Sequence, residues 1–356
     1  MDCSQDGKSK MINIKLIKKE NISLWLDEII KKYKVIAPQK IDQNDFMFKQ
    51  LESAKEVALD YINPVISPVK EILFPSKEVI LKYKKKDNSW ETEVKEPGEK
   101  TVLFGIRSCD LSAMLFMDRF FLEGFKDSYY GSKRDNLITV VITCIDPAES
   151  CFCVCADAGP SKNTGFDLQL TKLDGNYLVE IGSAKGEELV KIASSFFTDA
   201  VEKELKTKEK IIEKVKEKFK LPTTYFSRAI RKVTAGVDEA LWEKLSSRCL
   251  TCGSCSFVCP TCTCFNVVDE ATSADEGQRM RTWDSCMYAG FAREVSGHNP
   301  RKLRKERVKR RYYHKLSYYY LTKMGTHGCV GCGRCVVSCL GGIDMSMVSK
   351  AVRREK

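Results

Sequence analysis

Histidine is nearly absent, at 3 residues in 356, beside 4 tryptophans and 10 prolines. So few imidazoles argue against a zinc enzyme with a mixed His/Cys shell. No G-x-G-x-x-G and no G-x-x-x-x-G-K-[ST] occurs, so the chain shows no dinucleotide or nucleotide site of its own, and no nucleophile–base pair stands out. No apolar run is long enough to span a membrane. The greasiest stretch, Leu111–Leu122, is interrupted by Asp118 and Arg119, well short of the ~20 residues a span needs. The first ten residues, MDCSQDGKSK, are polar and no apolar core of an export signal follows. The expectation is a cytoplasmic protein without a membrane span.

Cysteine is abundant, at 17 residues. A disulfide scaffold would be shorter and exported, and in a reducing cytosol thiols mainly bind metal or do redox chemistry. The length implies about two domains at ~100–200 residues each, and 43% hydrophobic with 30% charged residues is the composition of a folded chain. Cys249-x2-Cys252-x2-Cys255-x3-Cys259-Pro260 is the two-cluster ferredoxin pattern, repeated as Cys329-x2-Cys332-x2-Cys335-x3-Cys339. Three cysteines at three-residue steps wrap one corner of a cuboidal cluster, and the fourth points to the other cluster. The expected sets are therefore Cys249, Cys252, Cys255 and Cys339 for cluster one, and Cys329, Cys332, Cys335 and Cys259 for cluster two. Gly253, Gly331 and Gly333 let the backbone come close to the sulfurs. The 70-residue separation from Cys259 to Cys329 leaves room for intervening helices, unlike a compact ferredoxin.

The N-terminal part reads as α/β. Thr101–Ile106 and Asn136–Thr143 are buried-type strands around a helix over Leu111–Phe125 that Asp110 can cap, a βαβ unit with parallel strands. Cys109 and Cys144 follow the two strands, at the edge where open α/β sheets bind ligands. With Cys151 and Cys153 they form the best third four-ligand set, with Cys155 as a competitor. Phe166–Leu173 and Tyr177–Ile181 form a hairpin around Asp174-Gly175. Residues 1–60 read as helical and peripheral, with a helix over Ile22–Lys34. Pro64, Pro68 and Pro75 predict extended chain and turns over 61–83, before a short strand at Val79–Tyr83. Lys84–Lys100, with Pro97-Gly98, reads as a loop, and residues 187–220 as a solvated helical arm.

The expected architecture is thus an α/β cluster-binding domain over 1–235, with its arm at about 187–220, and an all-α, alpha-helical ferredoxin-like dicluster domain over 236–356. Cys262, Cys264 and Cys286 read as buried beside clusters, with a further metal site as the alternative, and Cys3 as without a role. The net charge of +11 falls to about +5 once twelve thiolates and three doubly positive [4Fe-4S] cores add about −6. The basic surplus is therefore weak support for nucleic acid. Arg301–Arg311 reads as a helix face meeting an acidic partner or an anionic cluster, ahead of a nucleic-acid patch. The tyrosines from Tyr312 to Tyr320 read as core or interface, and His298 and His314 as structural.

Several stretches together resemble the iron–sulfur family that includes the electron-transferring subunit of anaerobic sulfite reductase and the beta subunit of sulfhydrogenase-type NAD(P)-linked hydrogenases. They are Val35-Ile36-Ala37-Pro38, Ser67-Pro68…Phe74-Pro75, Arg107-Ser108-Cys109-Asp110, Asp127-Ser128-Tyr129-Tyr130, Ser150-Cys151-Phe152-Cys153, Gly165-Phe166-Asp167-Leu168, Cys259-Pro260-Thr261-Cys262-Thr263-Cys264, Trp283-Asp284-Ser285-Cys286, Gly297-His298-Asn299 and Cys329-Val330-Gly331-Cys332-Gly333-Arg334-Cys335. The resemblance implies a third cluster on Cys109, Cys144, Cys151 and Cys153, and demotes Cys155. It also implies a 4Fe-4S electron-transfer subunit of an anaerobic oxidoreductase complex, with three [4Fe-4S] clusters and no catalytic site of its own. Electrons would pass between a flavin-binding NAD(P)H subunit and a catalytic subunit, either a sirohaem sulfite reductase or a nickel–iron hydrogenase. Leu340 departs from the proline that usually follows the last cysteine, and the chain ends soon after it. That short end tips the reading to sulfite reductase, with the (sulf)hydrogenase beta subunit as the alternative. Two rivals from other classes are a zinc-stabilised nucleic-acid-binding protein and a thiol–disulfide enzyme using Cys151-x-Cys153.

Overall fold

The computed structural model describes residues 13–43, 45–61, 66–94 and 98–354. Along the chain, β1 (Asn13–Lys18), α1 (Asn21–Ile30), β2 (Lys34–Lys40) and β3 (Phe46–Gln50) precede α2 (Pro68–Leu73), β4 (Lys77–Lys86) and β5 (Ser89–Glu93). Then come β6 (Thr101–Ile106), α3 (Ser108–Leu122), α4 (Ser128–Asp135), β7 (Leu137–Ile142), β8 (Leu168–Lys172) and β9 (Asn176–Ile181). Next are α5 (Ala184–Lys191), β10 (Phe197–Asp199), α6 (Glu202–Glu217), α7 (Tyr225–Ala235), α8 (Glu239–Ser247) and α9 (Ser254–Phe257). The chain continues through β11 (Phe265–Ala271), β12 (Glu276–Trp283), α10 (Arg304–Leu316), α11 (Tyr319–Met324), α12 (Arg334–Ser338) and α13 (Met345–Arg354). Among the described residues no helix is long and apolar enough to cross a membrane.

The eight-stranded sheet runs β10-β1-β9-β8-β7-β6-β2-β3. Its centre, β2, β6, β7 and β8, is parallel and its flanks are antiparallel. TVLFGI and LITVVI are apolar throughout because both faces of the centre are covered. Trp25, Leu26 and Ile29 of α1 pack on one face against Val35, Val102 and Val140. Leu111, Met114 and Met117 of α3 pack on the other with Leu73, Leu103 and Val141. The βαβ unit and the hairpin form as the sequence predicts. In β6 the register shifts at Gly105, whose φ of +87° carries a bulge just ahead of Cys109.

Several expectations need correction. The described residues of 1–60 are not peripheral helix, because β1, β2 and β3 are strands of the main sheet and Trp25 is fully buried; residues 1–12 lie outside the described residues. Pro68 stands at the start of α2, where a missing N–H costs nothing, and so opens a helix within a stretch expected to be extended. Lys84–Lys100 is not simply a loop, because β4 and β5 form a hairpin there; Pro97 itself lies outside the described residues, as do Pro64 and Cys3. Asp110 does not cap α3. Its carboxylate accepts from Ser67 Oγ (2.5 Å) and from Arg334 Nη2 (3.0 Å). The 187–220 stretch is not a free arm: β10 pairs with β1, and Lys208 of α6 is buried in a 2.7 Å ion pair with Glu180 of β9.

The C-terminal part is mostly helical but not all-α. Strands β11 and β12 form an antiparallel ribbon, and β12 pairs with β4 in a second sheet, β11-β12-β4-β5. Its helices α7, α8, α10 and α13 share an apolar core with Cys109, Phe152, Cys153 and Val154 of the N-terminal part. Trp25 anchors the core on the α1 face of the main sheet, its Nε1–H donating to the Leu189 carbonyl at 2.9 Å. Trp25→Ala should lower unfolding free energy by about 3–5 kcal/mol, which denaturant titration of the intact chain would measure.

Candidate metal centres

The first-motif cysteines and the last cysteine of the chain meet. Cys249 follows α8, Cys252 lies on the turn into α9, Cys255 lies within α9, and Cys339 leaves the end of α12. All four line one cavity, walled also by Met287, Val308, Arg311, Tyr312 and Ile343. Backbone N–H groups face the sulfurs, with Thr251 N donating to Cys249 Sγ at 3.4 Å and Ile343 N to Cys339 Sγ at 3.3 Å. Burial raises the Cys249 thiol pKa, and the neighbouring Cys339 and Cys252 raise it further.

The second set holds the reciprocal arrangement. Burial raises the Cys329 and Cys332 thiol pKa values, and both sense Cys259 as a charged neighbour. Cys335 senses Cys329 and Cys332 in turn. Gly331 N donates to Cys329 Sγ at 3.4 Å. Gly331 and Gly333 sit at φ +63° and +78°, and a Cβ on them would lie 2.4 Å from the Phe152 carbonyl oxygen and 2.5 Å from that of Ser150. Glycine is therefore required where this loop lies on the Cys151–Cys153 segment, which is tied to it by Phe152 N donating to Gly331 O at 2.8 Å.

Cys109, Cys144, Cys151 and Cys153 line a third cavity with Arg107, Ser108, Pro147, Gly159, Pro160 and Cys332. Strands β6 and β7 deliver Cys109 and Cys144. Ser108 Oγ and Cys144 N both donate to the Pro160 carbonyl, at 2.7 and 3.0 Å, closing the far wall. Cys155 is not on that wall; its thiol donates to Pro222 O at 3.2 Å. Cys332, expected in the second set, thus also lines the third cavity.

Among the described residues no three Cys, His, Asp or Glu side chains close on a single-ion position. The sulfurs of the first and third sets each line one cavity, and four cysteines around one space is the ligand set that a cuboidal cluster takes. Buried charge fits an anionic occupant as well. Lys70, Arg311 and Lys315 are 2%, 3% and 5% exposed, and among the described residues none of them forms an ion pair with a carboxylate. Lys70 Nζ donates to Ser256 O (3.0 Å) and Phe257 O (3.2 Å) and stands 4.1 Å from the Trp283 ring centre. Lys315 Nζ donates to Thr261 O (3.1 Å) and Oγ1 (2.7 Å), and Thr261 Oγ1 lies 3.4 Å from Cys259 Sγ. Arg311 Nη1 donates to Cys262 Sγ at 3.7 Å. Burial lowers the Lys70 pKa, whereas at Lys315 the charges of Cys259 and Cys262 outweigh burial and hold the pKa above the usual value. Three buried cations without carboxylates need negative charge at the same depth, and thiolate-bound [4Fe-4S] cores carry it.

The sequence reading missed Lys70, Lys315 and the Arg334–Asp110 pair (Nη1–Oδ1 2.9 Å), because nothing local marks a residue whose partner lies far along the chain. The basic run Arg301–Arg311 divides between the cysteine-rich core and helix α8. Arg311 faces Cys262, Arg304 Nη1 reaches the Cys249 carbonyl at 3.2 Å, and Lys305 and Lys309 pair with Glu243 and Glu239 of α8. Cys262, Cys264 and Cys286 lie beside the paired sets; Cys262 and Cys286 are buried and Cys264 is half-buried.

The model of a 4Fe-4S dicluster domain matches residues 248–343. Over 308 residues the chain is 34% identical to "Sulfhydrogenase 2 subunit beta" of Pyrococcus furiosus, covering 86% of this chain and 89% of that protein. No solved structure matches the chain. The relative supports the hydrogenase alternative, and the sulfite reductase reading drawn from the short C-terminal end is not supported. Lys315→Met should make the paired [4Fe-4S] groups harder to reduce. The expected drop is on the order of 100 mV, the Coulomb energy of one charge at about 8 Å in an effective dielectric of about 20. Potentiometric titration followed by EPR measures it, and Lys315→Arg should restore most of the potential.

Proposed function

The chain belongs to the family of sulfhydrogenase subunit beta, an iron–sulfur family, and from that premise we propose that it relays single electrons within a multi-subunit hydrogenase-type complex. The proposed ligand sets are Cys249, Cys252, Cys255 and Cys339; Cys329, Cys332, Cys335 and Cys259; and Cys109, Cys144, Cys151 and Cys153. The proposed companions are a flavin-binding NAD(P)H subunit and a nickel–iron catalytic subunit, with the complex in the cytoplasm. The observation that carries this reading is the pairing of Cys339 with the first motif in one cavity, while Cys259 stands beside Cys329 and Cys332.

When bound, [4Fe-4S] groups supply one-electron redox chemistry at a potential set by charge, hydrogen bonds to sulfur and solvent access. The chain's own residues set those conditions. The N–H groups of Thr251, Gly331 and Ile343 donate to ligand sulfurs. Arg311 and Lys315 hold positive charge beside Cys259 and Cys262, which favours the reduced, more negative state. Burial of Cys109, Cys151, Cys153, Cys329 and Cys332 limits water at the second and third sets, whose Cys144, Cys259 and Cys335 are half-buried. The position of Cys332 supports an order with the third site beside the second, and the first beyond it.

Cys259→Ser should lose the EPR signal of the set held by Cys329, Cys332 and Cys335 while the Cys249 set survives; loss of the Cys249 set alone would refute the exchange. Cys109→Ser should lower iron by about four atoms per chain with both paired signals intact, read by iron analysis of anaerobically purified protein. Metal analysis of the companions that co-purify without oxygen tests the complex: nickel supports the hydrogenase assignment, and sirohaem overturns it.

A further inference from the structure

Resting on the electron-relay reading above, we infer that the first-motif pocket is the port at which a redox subunit docks. Cys252 is the one exposed cysteine among the described residues, whereas Cys109, Cys151, Cys153, Cys329 and Cys332 are buried. The rim of the same pocket carries apolar side chains that the fold leaves uncovered. Leu250 and Leu340 line its mouth at 61% and 85% exposure, and Val337, at 69%, precedes Ser338 on the wall. A soluble surface seldom exposes three large aliphatic groups around one opening without a partner to cover them.

The charge at the rim says what kind of partner. Arg304 Nη1 donates to the Cys249 carbonyl at 3.2 Å, and the Arg248 guanidinium lies against the Gly341–Gly342 turn that follows Leu340. Both side chains are exposed, and neither is in an ion pair among the described residues. An apolar centre with an arginine rim fits a subunit that carries its own electron carrier near its surface, behind an apolar patch edged with carboxylates. Apolar contact excludes water between the two carriers, and the opposite charges steer the encounter.

The test uses the full chain loaded with its clusters and an acidic single-cluster ferredoxin as the protein probe, with a small viologen dye as a probe that needs no docking. Stopped-flow mixing should show Val337→Glu slowing the second-order transfer to ferredoxin by at least about tenfold. Arg248→Glu, whose side chain is exposed, should also slow it and flatten its dependence on salt. Phe125→Glu, which changes an equally exposed apolar residue of the N-terminal part, should leave the rate unchanged. Iron content and viologen rates should match the wild type in all three. Ferredoxin rates equal to wild type in the rim variants, with normal viologen rates, would overturn the port alone. A wild-type chain without an iron–sulfur spectrum, or one that exchanges no electrons with viologen, would overturn the relay itself.

Discussion

Negative charge bound to sulfur can sit inside a protein only where positive charge lies at the same depth. That constraint organises this molecule. Lys70, Arg311 and Lys315 are buried around Cys259 and Cys262, and they come from two distant elements: α2 near the start of the chain and two successive turns of α10. Their polar contacts are carbonyls, one hydroxyl and one sulfur. Remove the anionic occupants and these cations become a liability, since uncompensated charge at that depth costs on the order of several kcal/mol. Stability and cofactor content are therefore coupled in this fold.

The same constraint explains why the two parts of the chain interlock. Arg334, from the second motif, is neutralised by Asp110 at the start of α3, which Ser67 holds in turn. The Cys151–Cys153 segment lies on the Gly331–Gly333 loop at backbone contact, and the ribbon β11–β12 adds to the hairpin β4–β5. Cysteines of the N-terminal part are thereby held against those of the dicluster part. A single apolar core containing Cys109, Phe152 and Val330 makes that contact rigid.

What the sequence discloses is what is local. Spacing within each cysteine motif, the apolar runs of β6 and β7, and the Asp174-Gly175 turn each depend on neighbours a few residues away, and each reappears in the structure. Asp110 misleads for the same reason: its position before an apolar helix reads as a cap, while its partner is 224 residues further on. β1 and β3 are short strands whose pairing is to β9, β10 and β2, so their pattern alone does not separate them from surface helix. Lys70 carries no mark in the sequence at all, because the carbonyls it reaches belong to residues 256 and 257. The ribbon is hidden by the cysteine-rich, helical character of its surroundings.

The place of Cys332, proposed for the second set, on the wall of the third cavity bears on biosynthesis. The first cavity is lined by Cys339 and the third by Cys332, so the two close only after residues 332–339 have left the ribosome. Contacts of such long sequence separation form late in folding. The N-terminal sheet can assemble while translation continues, but cofactor insertion must wait for that segment, and a product truncated before it would carry its thiols open to oxidation.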